Sequence, residues 1–221
     1  MVPAAGSDLP DSRVPVKVCG LTRPEDARLA VSLGARYLGV IFAGGPRLLT
    51  PAAARAVVAA ANGVPVYGVF GGQGVGEIFR IVDQVGLRGV QLHRDATAGE
   101  TAELRARGLE VLAVVRLADS ADLALLDTAR ALGVPLLVEP RVPGHLGGTG
   151  TRLSLDLALA ARDRLEGHPM FLAGGLTPDN VAGLVREIRP DAVDVSSGVE
   201  QIPGVKDPER MARFLEVLGW A

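Results

Sequence analysis

Val16-Lys17-Val18-Cys19-Gly20-Leu21-Thr22 is a short apolar strand that runs out into a thiol, a glycine and a threonine. Arg23-Pro24-Glu25-Asp26-Ala27 reads on from it as the first turn of a helix. Thr22 is expected as the N-cap, Pro24 near the first helical position, and Glu25 and Asp26 at the positive end of the helix dipole. The same strand-to-helix unit recurs along the chain. Strands are expected at 16–19, 37–42, 66–70, 89–92, 110–115, 134–138, 170–173 and 192–196. Helices are expected at 24–33, 51–61, 75–85, 97–107, 120–132, 155–165, 178–186 and 208–218, several closed by a glycine such as Gly34, Gly86, Gly108 or Gly133. Each strand is a nearly continuous apolar run, as expected where both faces of a parallel sheet are covered. Strict alternation implies right-handed crossovers. Eight units suit a closed (β/α)8 barrel, a TIM barrel, better than an open sheet.

The composition agrees. The chain has 221 residues, 48% of them hydrophobic and only 4% aromatic, so its core is aliphatic. A net charge of -2 gives no basic face for nucleic acid. No apolar run approaches the roughly 20 residues that span a membrane. Residues 1–15 show no charged-then-apolar signal pattern and read as a frayed arm ahead of one domain over 16–221. One cysteine excludes an internal disulfide and a multi-cysteine zinc site. A soluble, cytoplasmic protein is expected. Lysine occurs only at Lys17 and Lys206 among many arginines, so a lysine within the first strand is chosen for its shape and reach.

In such a barrel the chemistry collects at the C-terminal ends of the strands. Those ends hold Cys19, Gln91, His93, Glu139 and two glycine-rich turns. Gly174-Gly175 and Ser196-Ser197-Gly198 follow the last two strands, where backbone N–H groups commonly cradle a phosphate. Cys19 has two readings, a small core hydrophobe or a reactive thiol. His93 likewise either lines the pocket beside Gln91 or caps its strand. Lys17 shares parity with Cys19, and Asp194 with Ser196, so Lys17 and Asp194 are expected to pair across the first and last strands, beneath the thiol. His168 is expected to face solvent.

Several motifs together carry a resemblance. They are Lys17-Val18-Cys19-Gly20-Leu21-Thr22, Gln91-Leu92-His93, Arg141-Val142-Pro143-Gly144, Gly147-Gly148-Thr149-Gly150, Ala173-Gly174-Gly175-Leu176, Val193-Asp194-Val195-Ser196-Ser197-Gly198-Val199-Glu200 and Pro203-Gly204-Val205-Lys206-Asp207. In order and spacing the chain resembles the phosphoribosylanthranilate isomerases of tryptophan biosynthesis from about residue 16 onward. The resemblance implies a (β/α)8 barrel that uses no metal or cofactor. It implies a small phosphoribosyl substrate and an Amadori rearrangement driven by acid–base catalysis, in a monomer or homodimer. It makes Cys19 the general base and Glu139 the general acid. Arg47 is implied at the anthranilate carboxylate, and Gln73, Gln91 and His93 are expected to line the substrate pocket.

The chain also departs from that family. The family's acid is an aspartate, and Glu139 adds a methylene, ~1.5 Å of reach. A misplacement of about 1 Å can cost around 100-fold in rate. Gly71-Gly72-Gln73 replaces a Val-Asn-Gln-like turn, the loop before Arg47 is short, and Leu153-Ser154-Leu155 stands where the family has aromatic residues. Two alternatives therefore stay open: a paralogue acting on a related phosphoribosyl-amine, or a phosphosugar-binding barrel with little or no turnover.

Overall fold

The computed structural model describes residues 13–142 and 152–220. Eight parallel strands close on themselves in chain order. They are β1 (Val16–Val18), β2 (Tyr37–Ile41), β3 (Val66–Phe70), β4 (Gly89–Leu92), β5 (Glu110–Leu117), β6 (Leu136–Pro140), β7 (Met170–Ala173) and β8 (Ala192–Val195). The intervening helices are α1 (Pro24–Ser32), α2 (Pro51–Ala60), α3 (Val75–Val85), α4 (Ala98–Ala106), α5 (Ala124–Arg130), α6 (Leu155–Arg164), α7 (Val181–Ile188) and α8 (Pro208–Glu216). The expected (β/α)8 barrel is the observed one. None of the described helices is long and apolar enough to cross a membrane.

Alternation along each strand divides the apolar side chains into two cores. Val16, Val18, Leu38, Val40, Val90, Leu136 and Val138 face outward and pack under the helices. Tyr67, Leu112, Val114, Leu137, Phe171, Ala173 and Ala192 fill the barrel itself. The barrel floor is aromatic: Tyr37 meets Tyr67 edge-on at 5.8 Å and tilts against Phe171 at 5.6 Å. The Tyr67 hydroxyl donates to the Glu110 carboxylate, giving a buried phenol its partner.

Element ends moved where a tertiary contact outbid a local signal. Arg23, not Thr22, is the N-cap of α1. The Thr22 hydroxyl instead donates to the Gly204 carbonyl of a distant hairpin. Asp26 is buried rather than solvated at the dipole; Arg23 forks it, and the Lys206 backbone N–H donates to it at 3.1 Å. The helix expected from 178 begins at Val181, because Asn180 ties the preceding turn by accepting from Thr177 N and donating to Gly175 O. The helix expected over 120–132 opens as a 3-10 turn, Ser120–Leu123, before α5. A hairpin that the sequence reading did not include, β9 (Glu200–Ile202) and β10 (Val205–Lys206), turns at Pro203-Gly204.

The arm expected over 1–15 is tied in over its described end. The Pro15 carbonyl accepts from Val193 N, and Trp220 Nε1 donates to the Val14 carbonyl. Residues 1–12 lie outside the described residues. His168 is partly buried, not solvent-facing, with Nε2 2.8 Å from the Val134 carbonyl.

Candidate active site

The register of the barrel brings the site together. Lys17 of β1 lies opposite Asp194 of β8, and Arg116 of β5 opposite Glu139 of β6. Lys17 is fully buried, and its ammonium donates to Asp194 Oδ1 at 2.6 Å and to Gln91 Oε1 at 2.8 Å. The pairing expected from strand parity is the one observed. Burial opposes the Lys17 charge, but Asp194 and Cys19 together outweigh it and hold the amine above its ordinary range.

Cys19 stands one turn of the pleat above Lys17, with its backbone N–H bonded to Val195 O. A Cβ added at Gly39 would lie 2.7 Å from Cys19 Sγ and 3.1 Å from Lys17 Nζ. The thiol and the ammonium therefore share the space that glycine leaves on β2. Burial, and secondarily Asp194, push the thiol above its ordinary range; Lys17 and Lys206 oppose them and favour the thiolate.

Glu139 is buried at the end of β6. Burial and the Asp194 charge push its carboxyl up to about 7, against the pull of Arg116 and Lys17. His93 is buried beside it, with Nε2 3.3 Å from Glu139 Oε1. Asp194 and Lys17 thus act on both Cys19 and Glu139, so one buried ion pair couples the two titrating groups.

The two glycine-rich turns after β7 and β8 approach each other closely. Gly174 and Gly175 both adopt positive φ, +91° and +60°. Ser196 precedes the 3-10 turn Ser197–Val199, and its buried Oγ has no hydrogen-bond partner among the described residues. A Cβ at Gly198 would fall 1.8 Å from the Leu176 carbonyl oxygen, so only glycine lets the two turns meet.

Gln73 and Gln91 both bond protein groups in this structure. The Gln73 amide is committed to backbone, accepting from Gly71 N and donating to Phe42 O, because the glycine turn after β3 needs a tie. The Gln91 carbonyl oxygen is taken by Lys17. Arg47 is buried, and Nε and Nη2 fork Glu200 at 2.8 and 2.6 Å. The loop expected over 141–152 is described only at its ends, so His145 and the Gly147–Gly150 motif lie outside the described residues.

Three contributors have no role on sequence grounds: Gly39, Glu200 and Lys206. A glycine inside an apolar strand marks a close approach. The scarcity of lysine points equally to Lys206, which is fully buried against Glu200 and the Ser196 carbonyl. Glu200 carried no comparable signal, since a glutamate past a strand end reads as solvated.

Comparison with known proteins bears on this geometry. The family model for N-(5'-phosphoribosyl)anthranilate isomerase matches residues 16–217. A relative of that name from Paracoccus denitrificans is 40% identical over 208 residues, covering 91% of this chain and 95% of its own. One from Citrifermentans bemidjiense is 41% identical over 202 residues, covering 90% and 94%. The crystal structure of the isomerase from Thermotoga maritima superposes with a TM-score of 0.82 at 32% identity, covering 93% and 98%. A further solved isomerase, in complex with reduced 1-(o-carboxyphenylamino)-1-deoxyribulose 5-phosphate, superposes with a TM-score of 0.79 at 30% identity, covering 92% and 97%.

Proposed function

The chain belongs to the N-(5'-phosphoribosyl)anthranilate isomerase family, and on that premise we propose how its own residues perform the reaction. It converts N-(5'-phosphoribosyl)anthranilate to 1-(2-carboxyphenylamino)-1-deoxyribulose 5-phosphate, a step of tryptophan biosynthesis. Glu139 is the general acid. Its proton goes to the furanose ring oxygen, the C1–O bond breaks, and the nitrogen lone pair forms the C1=N bond of a Schiff base. Cys19 as thiolate takes the C2 proton, and the electrons of that bond give an enolamine. Proton return to C1 and loss from the C2 hydroxyl leave the ketone, so substrate and product are isomers.

The observation that carries this reading is the shared environment of Cys19 and Glu139. A buried carboxyl with a pKa of about 7 is still half protonated at neutral pH, as a general acid must be. The Lys17 ammonium beside the thiol lowers the cost of the thiolate. Glu139 Oε1 lies 3.3 Å from His93 Nε2, and in this reading that side of the pocket takes up the added methylene. The turns at Gly174-Gly175 and Ser196-Ser197-Gly198 hold the phosphate, and Arg47 meets the anthranilate carboxylate.

As part of the same reading, the protein works in the cytoplasm on a small phosphoribosyl metabolite. It does so as a monomer or as a homodimer, the state the Thermotoga maritima relative's description gives for that enzyme. Growth of a tryptophan auxotroph lacking this isomerase tests the function directly. Rescue by the wild-type gene but not by Cys19→Ser is expected. A folded wild-type protein that neither rescues growth nor turns over the substrate would overturn the reading.

A further inference from the structure

Glu200 lies past the last barrel strand and outside the roles assigned above, yet it is the most heavily bonded carboxylate around the site. It is buried, 6% exposed, and takes up neighbours on both oxygens. Oε1 accepts from Arg47 Nε at 2.8 Å, from Lys206 Nζ at 2.9 Å and from Gly204 N at 3.3 Å. Oε2 accepts from Arg47 Nη2 at 2.6 Å. The fork fixes the guanidinium in plane and in rotation, as a bidentate Arg–carboxylate pair does. Two of the Arg47 nitrogens are consumed in the fork. Nη1 makes no hydrogen bond among the described residues.

The second cation on this carboxylate reaches another part of the site. Lys206 Nζ donates at 3.0 Å to the Ser196 carbonyl, at the entrance of the 3-10 turn Ser197–Val199. The Arg47 stem also packs where a Gly20 Cβ would stand, 2.5 Å from its Cδ, against the backbone next to Cys19. One carboxylate therefore joins three active-site segments: the loop after β2, the turn after β8 and the backbone after β1.

We propose that Glu200 is a positioning residue that sets the specificity of the site for a substrate bearing both a phosphate and an aryl carboxylate. This rests on the function proposed above. Glu200 holds the Arg47 guanidinium at one distance from the phosphate turn, and Lys206 fixes that turn to the same anchor. The site thereby measures the separation of two anions on one ligand. An arylamine without the ortho carboxylate forfeits the Arg47 contact, and a loosened Arg47 cannot tell the two ligands apart.

Equilibrium binding of two reduced product analogues tests this, one carrying the ortho carboxylate and one with hydrogen in its place. The wild-type protein is expected to bind the carboxylated analogue at least tenfold more tightly. Glu200→Gln is expected to lose most of that preference, and in turnover to raise KM about tenfold while kcat changes less than threefold. Lys206→Met leaves the Glu200–Arg47 fork in place. It should keep the preference but weaken inhibition by inorganic phosphate severalfold. Should Glu200→Gln fail to fold, Glu200→Asp keeps the charge and breaks the fork by one methylene, with the same expected loss of preference. A folded Glu200 variant that discriminates as well as wild type overturns the inference. A wild-type protein that binds neither analogue overturns instead the function it rests on.

Discussion

At the scale of single residues, the enzyme keeps two titrating groups where their environment opposes ionisation. The Glu139 carboxyl moves from an ordinary 4.5 to about 7 because burial and Asp194 outweigh Arg116 and Lys17. Between those values the native protein holds a proton that the unfolded chain has released. Stability therefore falls as pH rises through this window, by about 3 kcal/mol in all. Glu139→Gln should remove this loss. Its urea midpoint is expected to match wild type near pH 5 and exceed it at pH 8, while turnover falls at least 100-fold. A variant that stays fully active would reassign the acid. The same pair of groups shapes the pH profile. With Glu139 as the proposed acid, titrating near 7, and Cys19 as the proposed base, held above its ordinary range, only a minor fraction of the enzyme carries the acid protonated and the base ionised together. The pH dependence of kcat/KM is expected to be a broad plateau with its lower limb near 7, and Glu139→Gln should abolish that limb. Cys19 and Glu139 were both legible in the sequence as strand-end groups, with their roles supplied by the family resemblance. Their titration was not, because it depends on Asp194, more than fifty residues from either in the chain.

At the scale of elements, the proposed phosphate site depends on two turns that touch. Gly198 gives way to the Leu176 carbonyl, and any Cβ there must push the turn after β8 off the turn after β7. Gly198→Ala is expected to raise KM for the phosphorylated substrate at least tenfold, with a smaller effect on kcat. Inhibition by inorganic phosphate should weaken in parallel. Unchanged phosphate affinity would show that the turns do not bind it. The turns themselves could be read from Gly-Gly and Ser-Ser-Gly after strands seven and eight. The hairpin β9–β10 was signalled only by Pro203-Gly204, and its importance lay hidden, since its worth comes from what Glu200 and Lys206 reach. Thr22 shows the same limit from the other side. Its spacing suits an N-cap, but the carbonyl it meets belongs to Gly204.

At the scale of the whole molecule, the barrel closes where its first strand meets its last, and the seam is stitched by a buried ion pair. Lys17→Met would leave Asp194 buried without its cation, at a cost of about 3–5 kcal/mol in unfolding free energy. The double variant Lys17→Met/Asp194→Leu should recover much of that stability but not activity, because the thiol and Glu139 lose the charges that tune them. Urea unfolding of both variants checks this; equal losses would mean the pair is not the cause. The roles of Cys19 and Glu139 rest on the family resemblance, while the amino-acid order alone determined the eight strand–helix units, the parallel barrel and the end where its polar groups collect. Those features follow from periodicity and turn chemistry, which act over a few neighbours. Only the tertiary structure decided that Gln73 ties a loop, that Gln91 supports Lys17, that Glu200 grips both Arg47 and Lys206, and that Glu139 holds its proton to about neutral pH. Those outcomes depend on burial and on charges brought together by barrel closure, and no local stretch of chain contains that information.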